Sequence, residues 1–463
     1  MFPATRFKGR RIAVLGLARS GLASAQALQA GGAEIAAWDD GEEARREAAA
    51  AGIPLRDLSQ ADFSAFTALV LSPGIPLTHP RPHWSVDRAH AAGIEVIGDT
   101  EIFIREIAGT GSRLVAITGT NGKSTTTALT GHVLRSAGLD AHVGGNIGTA
   151  VFQLPPPESG RVYVLELSSY QIDLTPKLKP DAAILMNLTP DHLDRHGDMA
   201  GYAAVKAKIF ACQSTGDVAI CSVDDDWSAA IAAALPSAAT HRPFSVLRRL
   251  DDGISAPDGV LQDCRKGEAQ VQLDLRDLNA LRGRHNWQNA CAAYGAGRAM
   301  GVSADAIAEG FRSFPGLAHR MEEVARLGNL IFVNDSKATN ADAAEKALLS
   351  FDTIYWIAGG LMKAGGIEPL RPLFGRIVRA YLIGRDAPAL AGTLEGITPY
   401  RICGTIEQAT EAAARDARNE QRDSAVVLLS PACASFDQFP NFEVRGDAFR
   451  KAVKDLLQET APC

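Results

Sequence analysis

Residues 114–125 read LVAITGTNGKST, and this stretch decides the expected fold. A short, continuous apolar run of this kind is typical of a strand buried in a parallel sheet. The run ends at a glycine-rich loop, and residues 125–137 continue with a helical pattern. Glycines let backbone N–H groups turn inward, and a helix amino terminus carries positive potential. The order strand, loop, helix therefore predicts an anion site in an α/β protein.

Lys123 and Ser124 give this loop a specific chemistry. A lysine here would neutralise the β- and γ-phosphates of a nucleoside triphosphate, and the serine hydroxyl could coordinate Mg²⁺. The strict pattern Gly-x4-Gly-Lys-Ser fails, because Ile117 stands at the first glycine position. A chance Gly-Lys-Ser in a turn is the alternative, but the strand before it and the helix after it favour phosphate binding.

Similar apolar runs recur along the chain and alternate with Ala-rich helical segments. Predicted strands form three sets, at residues 12–17, 69–71 and 94–97, then 114–118, 162–167 and 182–187, then 330–334, 353–358, 380–384 and 425–430. Predicted helices include residues 22–30, 125–137, 287–300 and 304–314. This alternation indicates parallel sheets covered by helices on both faces. Residues 244–280 break the pattern and predict an antiparallel extension.

The chain has 463 residues, which exceeds the roughly 250–300 residues at which a single core stops growing. Boundaries are expected near residues 101 and 316, where Gly and Pro punctuate the sequence. We therefore expect three α/β domains. These are a Rossmann-like domain over residues 1–101, a central P-loop ATPase-like domain with a parallel sheet over residues 102–316, and a second Rossmann-like domain over residues 317–463.

Composition excludes several classes of protein. Lys and Arg number 47 against 53 Asp and Glu, a net charge of −6, so no basic excess attracts nucleic acid. The seven cysteines are scattered and never spaced Cys-x-x-Cys, which disfavours a disulfide framework or structural zinc. Arg19 interrupts the first apolar run, and no stretch approaches a membrane span. A cytoplasmic protein without a membrane span is expected.

Polar residues follow the strands of the central set. Glu166 follows residues 162–165, and His192 lies in the segment after residues 182–187. Because ligands of parallel sheets bind outside the carboxyl ends of the strands, the two side chains could meet beside the phosphate loop as magnesium ligands. The alternatives are a structural ion pair for Glu166 and a turn or capping role for His192.

The third set repeats this arrangement. Asp335 and Lys337 follow residues 330–334, Lys363 follows residues 353–358, and Ser435 follows residues 425–430. Polar residues at three strand ends of one sheet predict a second ligand site. A surface salt bridge is the alternative for Asp335 with Lys337, and a solvated position is the alternative for Lys363.

The first set approximates a dinucleotide fingerprint. Gly16-Leu17-Ala18-Arg19-Ser20-Gly21 follows a strand, and Asp39 follows the next one. Ala18 occupies the second glycine position, where backbone must approach a pyrophosphate, so the match is weak. NAD and a nucleotide-linked substrate therefore both stay open for this region. Ser72-Pro73-Gly74 could receive another part of a polar ligand.

Nine motifs taken together resemble the Mur ligase superfamily, and most closely its D-glutamate-adding branch. In chain order they are LSPGIP (71–76), TGTNGKST (118–125), GGNIG (144–148), LELSS (165–169), PDHLDR (190–195), HNWQNA (285–290), HRME (319–322), NDSKATN (334–340) and LSPACASFDQF (429–439). They cover essentially the whole chain. The last two are the most specific for that branch.

The resemblance implies an ATP-dependent amide ligase of cell-wall precursor synthesis that acts through an acyl phosphate. Its expected substrates are UDP-N-acetylmuramoyl-L-alanine and D-glutamate. Residues 1–101 would bind the UDP-sugar, residues 102–316 would bind ATP with two Mg²⁺ ions, and residues 317–463 would bind the amino acid. A monomer is expected.

Site residues follow from the matched motifs. The resemblance implies catalytic roles for Lys123, His192, Lys206 and Lys337, and magnesium ligation by Ser124, Glu166, His192 and Lys206. It implies ATP binding by Gly119, Thr120, Asn121, Gly122, Lys123, Ser124, Thr125, Asn286, Asn289, Arg320 and Asp335. Asp39, Ser72, Gly74 and Asn146 match the UDP-sugar side, and Thr339, Lys363, Ser435 and Phe442 match the D-glutamate pocket.

Lys206 matches a lysine that CO₂ converts to a carbamate in the family. A free lysine, with a pKa of about 10.4, is cationic and would repel magnesium, whereas a carbamate is an anion. Neighbouring Lys208 cannot be distinguished from it on physical grounds, and an ordinary solvated helix lysine is the alternative. Asn286 and Asn289 share one helical face, so a buried polar cap is the alternative for that pair.

Two departures and three rival functions stay open. Asp40-Gly41 and Met362 differ from better-known members, which leaves the uridine and amino-acid contacts less certain than the ATP site. The rivals are a sister ligase for another amino acid or a folylpolyglutamate synthase, a nucleotide-binding regulator without ligase activity, and a dehydrogenase. The sequence lacks the Asp-Asn-Pro-Arg string of the diaminopimelate branch.

Overall fold

A computed structural model of the protein describes residues 2–235, 238–363 and 365–459. These residues form three β-sheets connected by helices and divide into two compact units. One unit comprises Met1–Leu275 and Asn286–Phe314, and the other comprises Arg276–His285 and Pro315–Cys463. The predicted α/β class with three sheets is confirmed, and the domain boundaries at residues 101 and 316 stay a prediction.

The first sheet is entirely parallel, with strand order β2-β1-β3-β4. Its strands are β1 (Arg11–Leu15), β2 (Glu34–Trp38), β3 (Ala68–Leu71) and β4 (Glu95–Ile97), and its helices are α1 (Arg19–Ala30), α2 (Glu42–Ala50), α3 (Trp84–Ala91) and α4 (Asp99–Ile107). β1 stops before the predicted residue 17, because Gly16 leaves the extended conformation with a φ of 89°. A Cβ atom at Gly16 would lie 2.5 Å from the Cβ of Ser72, so only glycine fits.

The central sheet has nine strands in the order β13-β12-β11-β10-β9-β8-β5-β7-β6. They are β5 (Arg113–Thr118), β6 (Ala141–Gly145), β7 (Val162–Glu166), β8 (Ala182–Leu185), β9 (Val218–Ser222), β10 (Thr240–Ser245), β11 (Gly253–Ser255), β12 (Val260–Arg265) and β13 (Glu268–Asp274). The helices are α5 (Lys123–Ser136), α6 (Ser169–Asp173), α7 (Leu193–His196), α8 (Met199–Ala207), α9 (Asp226–Ala233), α10 (Arg284–Ala299) and α11 (Ala304–Ser313).

The strand order of the central sheet explains where a ligand would bind. β5 lies between β7 and β8, so the chain leaves β5 toward one side of the sheet and later returns to its other side. Crevices for ligands form at such switch points, outside the carboxyl ends of the strands. The predicted antiparallel extension is confirmed for the pairs β11 with β12 and β12 with β13, whereas β10 joins β11 in parallel.

The third sheet, in the second unit, has the order β14-β15-β19-β16-β17-β18 and is parallel apart from the edge pair β14 with β15. Its strands are β14 (Glu322–Leu327), β15 (Leu330–Asn334), β16 (Ile354–Gly359), β17 (Ile377–Ile383), β18 (Tyr400–Gly404) and β19 (Ala425–Leu429). Its helices are α12 (Ala341–Leu348), α13 (Ala387–Leu394), α14 (Ile406–Glu420) and α15 (Phe442–Glu459). The strands predicted at residues 330–334, 353–358 and 425–430 are present within one residue at each end.

The six cysteines in the described ranges are free thiols, as their scattered spacing predicts, and Cys463 lies outside them. No helix in the described part of the chain is both long enough and apolar enough to span a bilayer.

Aromatic packing joins the first and central sheets into one unit. Phe103, on α4 between the two sheets, is fully buried in a core cluster that includes residues of both. Its ring lies 5.0 Å from Tyr163 of β7, 5.8 Å from Phe2 and 6.3 Å from Phe152, measured between centroids. This core therefore packs the first and central sheets against each other within one unit.

We expect Phe103→Ala to lower the free energy of unfolding by about 3–5 kcal/mol, because truncating a buried ring removes its transfer free energy and leaves a cavity. Urea denaturation of the purified variant measures this change. The control is Leu247→Ala, which truncates an exposed apolar side chain in the same unit and should change the value by less than about 0.5 kcal/mol. Equal effects of the two substitutions would contradict the assigned role of the ring cluster.

Candidate functional site

The loop between β5 and α5 has the conformation that an anion site requires. Gly119 and Gly122 have φ angles of 149° and 83°. A Cβ atom would lie 2.7 Å from the Cβ of Met186 at the first glycine, and 2.5 Å from Oδ1 of Asn289 at the second. Glycine is therefore required at both positions, because of the positive φ angles and because Met186 and Asn289 leave no room for a Cβ atom. Because α5 begins at Lys123, the helix dipole and the loop N–H groups meet at this place.

Lys123 folds back over the loop that it follows. Its Nζ donates to the carbonyl oxygens of Gly119 at 2.9 Å and Thr120 at 2.7 Å. Asn187, after β8, braces the other side by accepting the N–H of Asn121 at 2.8 Å through Oδ1. These lysine contacts are to neutral oxygens, so charged phosphate oxygens would be stronger acceptors for the same ammonium.

Asn286 and Asn289 lie buried on α10, behind the loop. Asn289 Nδ2 donates to Asn286 Oδ1 at 3.0 Å, and its own Oδ1 accepts the hydroxyl of Thr126 at 3.1 Å. The pair therefore supports the loop from below, as a buried polar cap would. Direct contact of either amide with a nucleotide stays a prediction.

Glu166 ends β7 as a buried carboxylate with one oxygen left over. Its Oε1 accepts Nδ2 of Asn146 at 2.8 Å, whereas Oε2 is buried and has no hydrogen-bond partner. An orphaned carboxylate oxygen is costly in a protein interior, and a hard cation such as Mg²⁺ would satisfy it. Glu166 thus fits the role of magnesium ligand that the sequence predicts for it.

Lys206, on α8, is almost completely buried at 1% exposure. Its Nζ donates to Oγ1 of Thr118 at 3.0 Å and lies 5.1 Å from the ring centroid of Tyr202. Burial lowers the pKa of this amine well below its usual range, and the Lys123 ammonium nearby lowers the pKa further. Neighbouring Lys208 instead pairs with Asp173 at the surface, so the structure distinguishes the two lysines.

Three rings stack beneath the segment that carries His192. His196 lies between Tyr170 and Tyr202, with centroids 5.5 Å from each, and its Nε2 contacts the Ser169 hydroxyl at 2.9 Å. The ring of His192 packs against Tyr170 at 5.0 Å. His192 itself is left-handed, with a φ of 52°, and remains half exposed. The stack therefore supports His192 on one side and Lys206 on the other.

One cavity of about 710 Å³ joins these groups to the first sheet. From the central sheet it is lined by Lys123, Asn146, His192 and Lys206, and from the first sheet by Gly16, Asp39, Ser72 and Gly74. Residues that the sequence assigns to phosphate, metal and UDP-sugar binding thus share one pocket. Ser124 and Glu166 are buried and do not line it. The described residues contain no group of three or more His, Cys, Asp or Glu side chains that could hold a metal ion by themselves.

Backbone contacts shape the first-sheet wall of this cavity. Asp39 accepts the N–H of Leu17 at 2.6 Å and that of Gly41 at 2.8 Å, so its carboxylate holds the turn after β1. Ser72 donates to the Gly16 carbonyl at 3.0 Å. Asp39 and Ser72 therefore have structural contacts in addition to their places in the cavity wall.

The third sheet gathers most of its predicted residues at one edge. Asp335 accepts the Ser430 hydroxyl at 2.9 Å and the Met321 N–H at 3.2 Å, and burial raises its pKa to about 7. Lys337 Nζ lies 4.7 Å from the ring centroid of Phe442. The buried contacts of Asp335 rule out the simple surface salt bridge with Lys337 that the sequence left open.

The remaining predicted residues lie in the loops of the same edge. The loops after β16 and β19 pair through two backbone hydrogen bonds between Leu361 and Ala434, of 2.8 and 2.9 Å. Ser435 is buried beside this pair, Thr339 is half-buried, and Lys363 is exposed. Arg320 is half-buried and close enough to Asp335 to lower the pKa of that carboxyl, against the larger effect of burial.

Several cavity residues escaped the sequence analysis. Asp99, Tyr170, Gln171 and Tyr202 line the pocket. Arg195 also donates to the Gly74 carbonyl at 3.0 Å and lies 4.6 Å over the Tyr170 ring. The Tyr-Gln pair directly after LELSS was an available signal, because it follows a strand end. The contact of Arg195 with a loop 121 residues away had no signal in a single sequence.

Comparison with known proteins identifies the family of this chain. Residues 117–297 match the family model described as the Mur ligase middle domain. The chain is 56% identical over 459 residues to the UDP-N-acetylmuramoylalanine–D-glutamate ligase of Chelativorans sp. (strain BNC1), with 98% of both chains covered. It is 54% identical over 467 residues to the protein of that name from Caulobacter sp. (strain K31), covering 100% of this chain and 99% of the relative.

Solved structures agree on the fold. The UDP-N-acetylmuramate-alanine ligase of Thermotoga maritima matches with a TM-score of 0.58 at 16% identity, over 96% of this chain and 100% of that one. A pseudomurein peptide ligase type C from Methanothermus fervidus matches with a TM-score of 0.53 at 15% identity, over 97% and 100%. With relatives above 50% identity over nearly the whole length, the chain belongs to the Mur ligase family, in its UDP-N-acetylmuramoylalanine–D-glutamate ligase branch.

Proposed function

We propose that this protein is an ATP-dependent ligase that joins D-glutamate to UDP-N-acetylmuramoyl-L-alanine during peptidoglycan precursor synthesis, releasing ADP and phosphate. The observation that carries this proposal is the shared cavity. It brings a phosphate-loop lysine, a buried lysine amine, His192 and the strand ends of the first sheet to one place. A nucleotide-binding regulator would not need this set. The cytoplasm, which supplies ATP, is the proposed site of action.

The chemistry begins with activation of a poor electrophile. The negative charge of the alanyl carboxylate repels an attacking amine, so one carboxylate oxygen first takes the γ-phosphoryl group of ATP and ADP leaves. The amine nitrogen of D-glutamate then attacks the acyl carbon, the bond to the phosphate oxygen breaks, and phosphate departs. Loss of a proton from nitrogen leaves the amide. Such phosphoryl transfer depends on positioning and charge neutralisation.

The residues of the central sheet would supply that positioning. Lys123 and the loop N–H groups would hold the β- and γ-phosphates after the lysine exchanges its two carbonyl acceptors. Ser124, Glu166 and His192 would hold two Mg²⁺ ions, which when bound neutralise charge on the phosphoryl oxygens. Asn289, Arg320 and Asp335 are proposed nucleotide contacts by motif. The domain assignment to residues 1–101, 102–316 and 317–463 is part of this proposal.

Lys206 is proposed to act as a carbamate. Its lowered pKa raises the fraction of neutral amine, and only the neutral amine has a lone pair to attack the carbon of CO₂. Addition of the neutral amine to CO₂ and loss of one proton from nitrogen leave an anionic carbamate. The new anion would orient a cation near Glu166 and would relieve the repulsion by Lys123.

The substrate assignment is tested by ADP and phosphate release. With UDP-N-acetylmuramoyl-L-alanine and ATP present, we expect release with D-glutamate and no release above background with L-glutamate or diaminopimelate. The expected selectivity reflects a pocket built for one carboxylated amine, in which a misplaced carboxylate leaves buried groups unpaired. Equal release with every amine would exclude the stated specificity, and release with diaminopimelate alone would indicate a sister ligase.

We expect Lys206→Ala to lower kcat at least about 100-fold, because the anion that orients the cation is lost. Lys208→Ala is the matched control, since this neighbouring lysine lies at the surface, and it should stay within about twofold of the wild type. Removal of CO₂ should reduce wild-type activity, and added bicarbonate should restore it. Full activity of Lys206→Ala at low bicarbonate and low magnesium would reject the carbamate.

Removal of the orphaned oxygen of Glu166 should weaken metal binding. We expect Glu166→Gln to raise the Mn²⁺ dissociation constant, measured by electron paramagnetic resonance in the presence of ATP, by about 10- to 100-fold. Glu158→Gln removes an exposed carboxylate from the same unit and should leave the constant unchanged. Equal Mn²⁺ binding by Glu166→Gln and the wild type would show that Glu166 is not a metal ligand.

A further inference from the structure

Arg445, on α15, is one of the largest fully buried side chains of the second unit, with 1% exposure. Its Nε donates to the Ser336 hydroxyl at 3.0 Å, and one terminal nitrogen donates to the Ser336 carbonyl at 2.8 Å. The other terminal nitrogen donates to the carbonyls of Cys433 at 3.0 Å and Gly359 at 3.4 Å. A single guanidinium therefore contacts the loops that follow β15 and β19 and the last residue of β16, where the third loop begins.

These are the loops that carry the predicted amino-acid pocket. Lys337 and Thr339 lie in the loop after β15, Lys363 in the loop after β16, and Ser435 in the loop after β19. Phe442 begins α15, the helix that carries the arginine itself. The Ser336 hydroxyl, which accepts from Arg445, donates in turn to the Phe442 carbonyl at 2.8 Å. The four predicted pocket residues, and Lys337 with its predicted catalytic role, thus belong to segments that Arg445 joins.

The chemistry of the contacts explains why an arginine stands here. All its acceptors are neutral oxygens, and no carboxylate in the described residues is within hydrogen-bond distance of its guanidinium. Burial accordingly lowers its pKa to about 10. Asp437 is close enough to raise this pKa, but it does not hydrogen-bond to the guanidinium, so a direct ion pair does not account for the buried cation. A planar group with five donors is what allows one side chain to reach three loops.

We propose that Arg445 is a positioning residue that holds the three strand-end loops of the amino-acid pocket in register for binding of D-glutamate. This inference rests on the proposed function, because it takes the pocket residues from that assignment. Arg445 acts through the backbone of the loops, so it should govern binding of the amino acid while leaving binding of ATP and the UDP-sugar unchanged.

The test compares Arg445→Lys and Arg445→Met in the full-length enzyme. Each variant loses the guanidinium, whose N–H groups donate to three loops. A single ammonium cannot make all of these contacts, so the lysine variant should not restore binding of D-glutamate. We expect both variants to raise the KM for D-glutamate at least about tenfold, the change that loss of about one net hydrogen-bond contribution would produce. The KM values for ATP and UDP-N-acetylmuramoyl-L-alanine should stay within about twofold.

Hydroxylamine separates this inference from the proposed function. As a small nucleophile it attacks the acyl carbon, displaces phosphate and forms a hydroxamate without needing the amino-acid pocket. If the wild type forms no hydroxamate, the proposed function fails. If the wild type does, both variants should form hydroxamate at a rate within about threefold of it. An unchanged KM for D-glutamate, rescue by Arg445→Lys, or an equal loss of hydroxamate formation would overturn the role of Arg445.

Two further variants keep the test decisive. Lys451→Met changes an exposed cation on the same helix and should leave all three KM values unchanged. Ser336→Ala removes one acceptor of the fork and the link to the Phe442 carbonyl while keeping Arg445 in place. It should raise the KM for D-glutamate about threefold. If the Arg445 variants do not fold by circular dichroism, an unchanged KM in a folded Ser336→Ala variant overturns the inference.

Discussion

Burial of two ionisable groups at the carboxyl edge of the central sheet is the constraint on which the site depends. Glu166 keeps one oxygen without a partner, and Lys206 keeps an amine whose pKa is lowered by burial. Both conditions cost free energy in the protein alone. Asn146 holds Glu166 in place, and Thr118 and the Tyr202 ring hold Lys206. A cation and CO₂ are the ligands that would relieve this cost.

Close backbone approach is the second requirement of the same edge. Gly119 and Gly122 lie against Met186 and Asn289 at distances that no Cβ atom would tolerate. The asparagine pair on α10 therefore defines the floor of the loop. A residue that does not contact a phosphate can still determine whether the N–H groups of the loop point toward a bound phosphate. This explains how Asn289 could matter for nucleotide binding from a position outside the cavity wall.

The sequence predicted those parts of the site that are written locally. A strand, a glycine loop and a helix follow one another around TGTNGKST. Glu166, His192 and Asp335 were each predicted from their position just after a predicted strand. The resemblance to the Mur ligases added Lys206, and the structure then separated it from Lys208 by burial. The partner of each group could not be predicted, because Asn146 with Glu166 and Thr118 with Lys206 are pairings across strands and helices. Arg445 escaped for the same reason, since its three loops are distant in sequence.

The signs of the buried charges explain why two similar sheet edges suit different ligands. In the central sheet the oxygen left over belongs to a carboxylate, which favours a cation and, through it, phosphate. In the third sheet burial raises the pKa of Asp335 to about 7, so its negative charge is reduced near neutral pH. Lys337 and Lys363 lie at that edge together with Asp386, which accepts the Met362 N–H, and the two lysines are the groups that would pair with the carboxylates of the proposed amino-acid ligand. In both sheets the strands end in polar loops, so the geometry alone would not distinguish the proposed cation and phosphate site of the central sheet from the proposed amino-acid site of the third sheet.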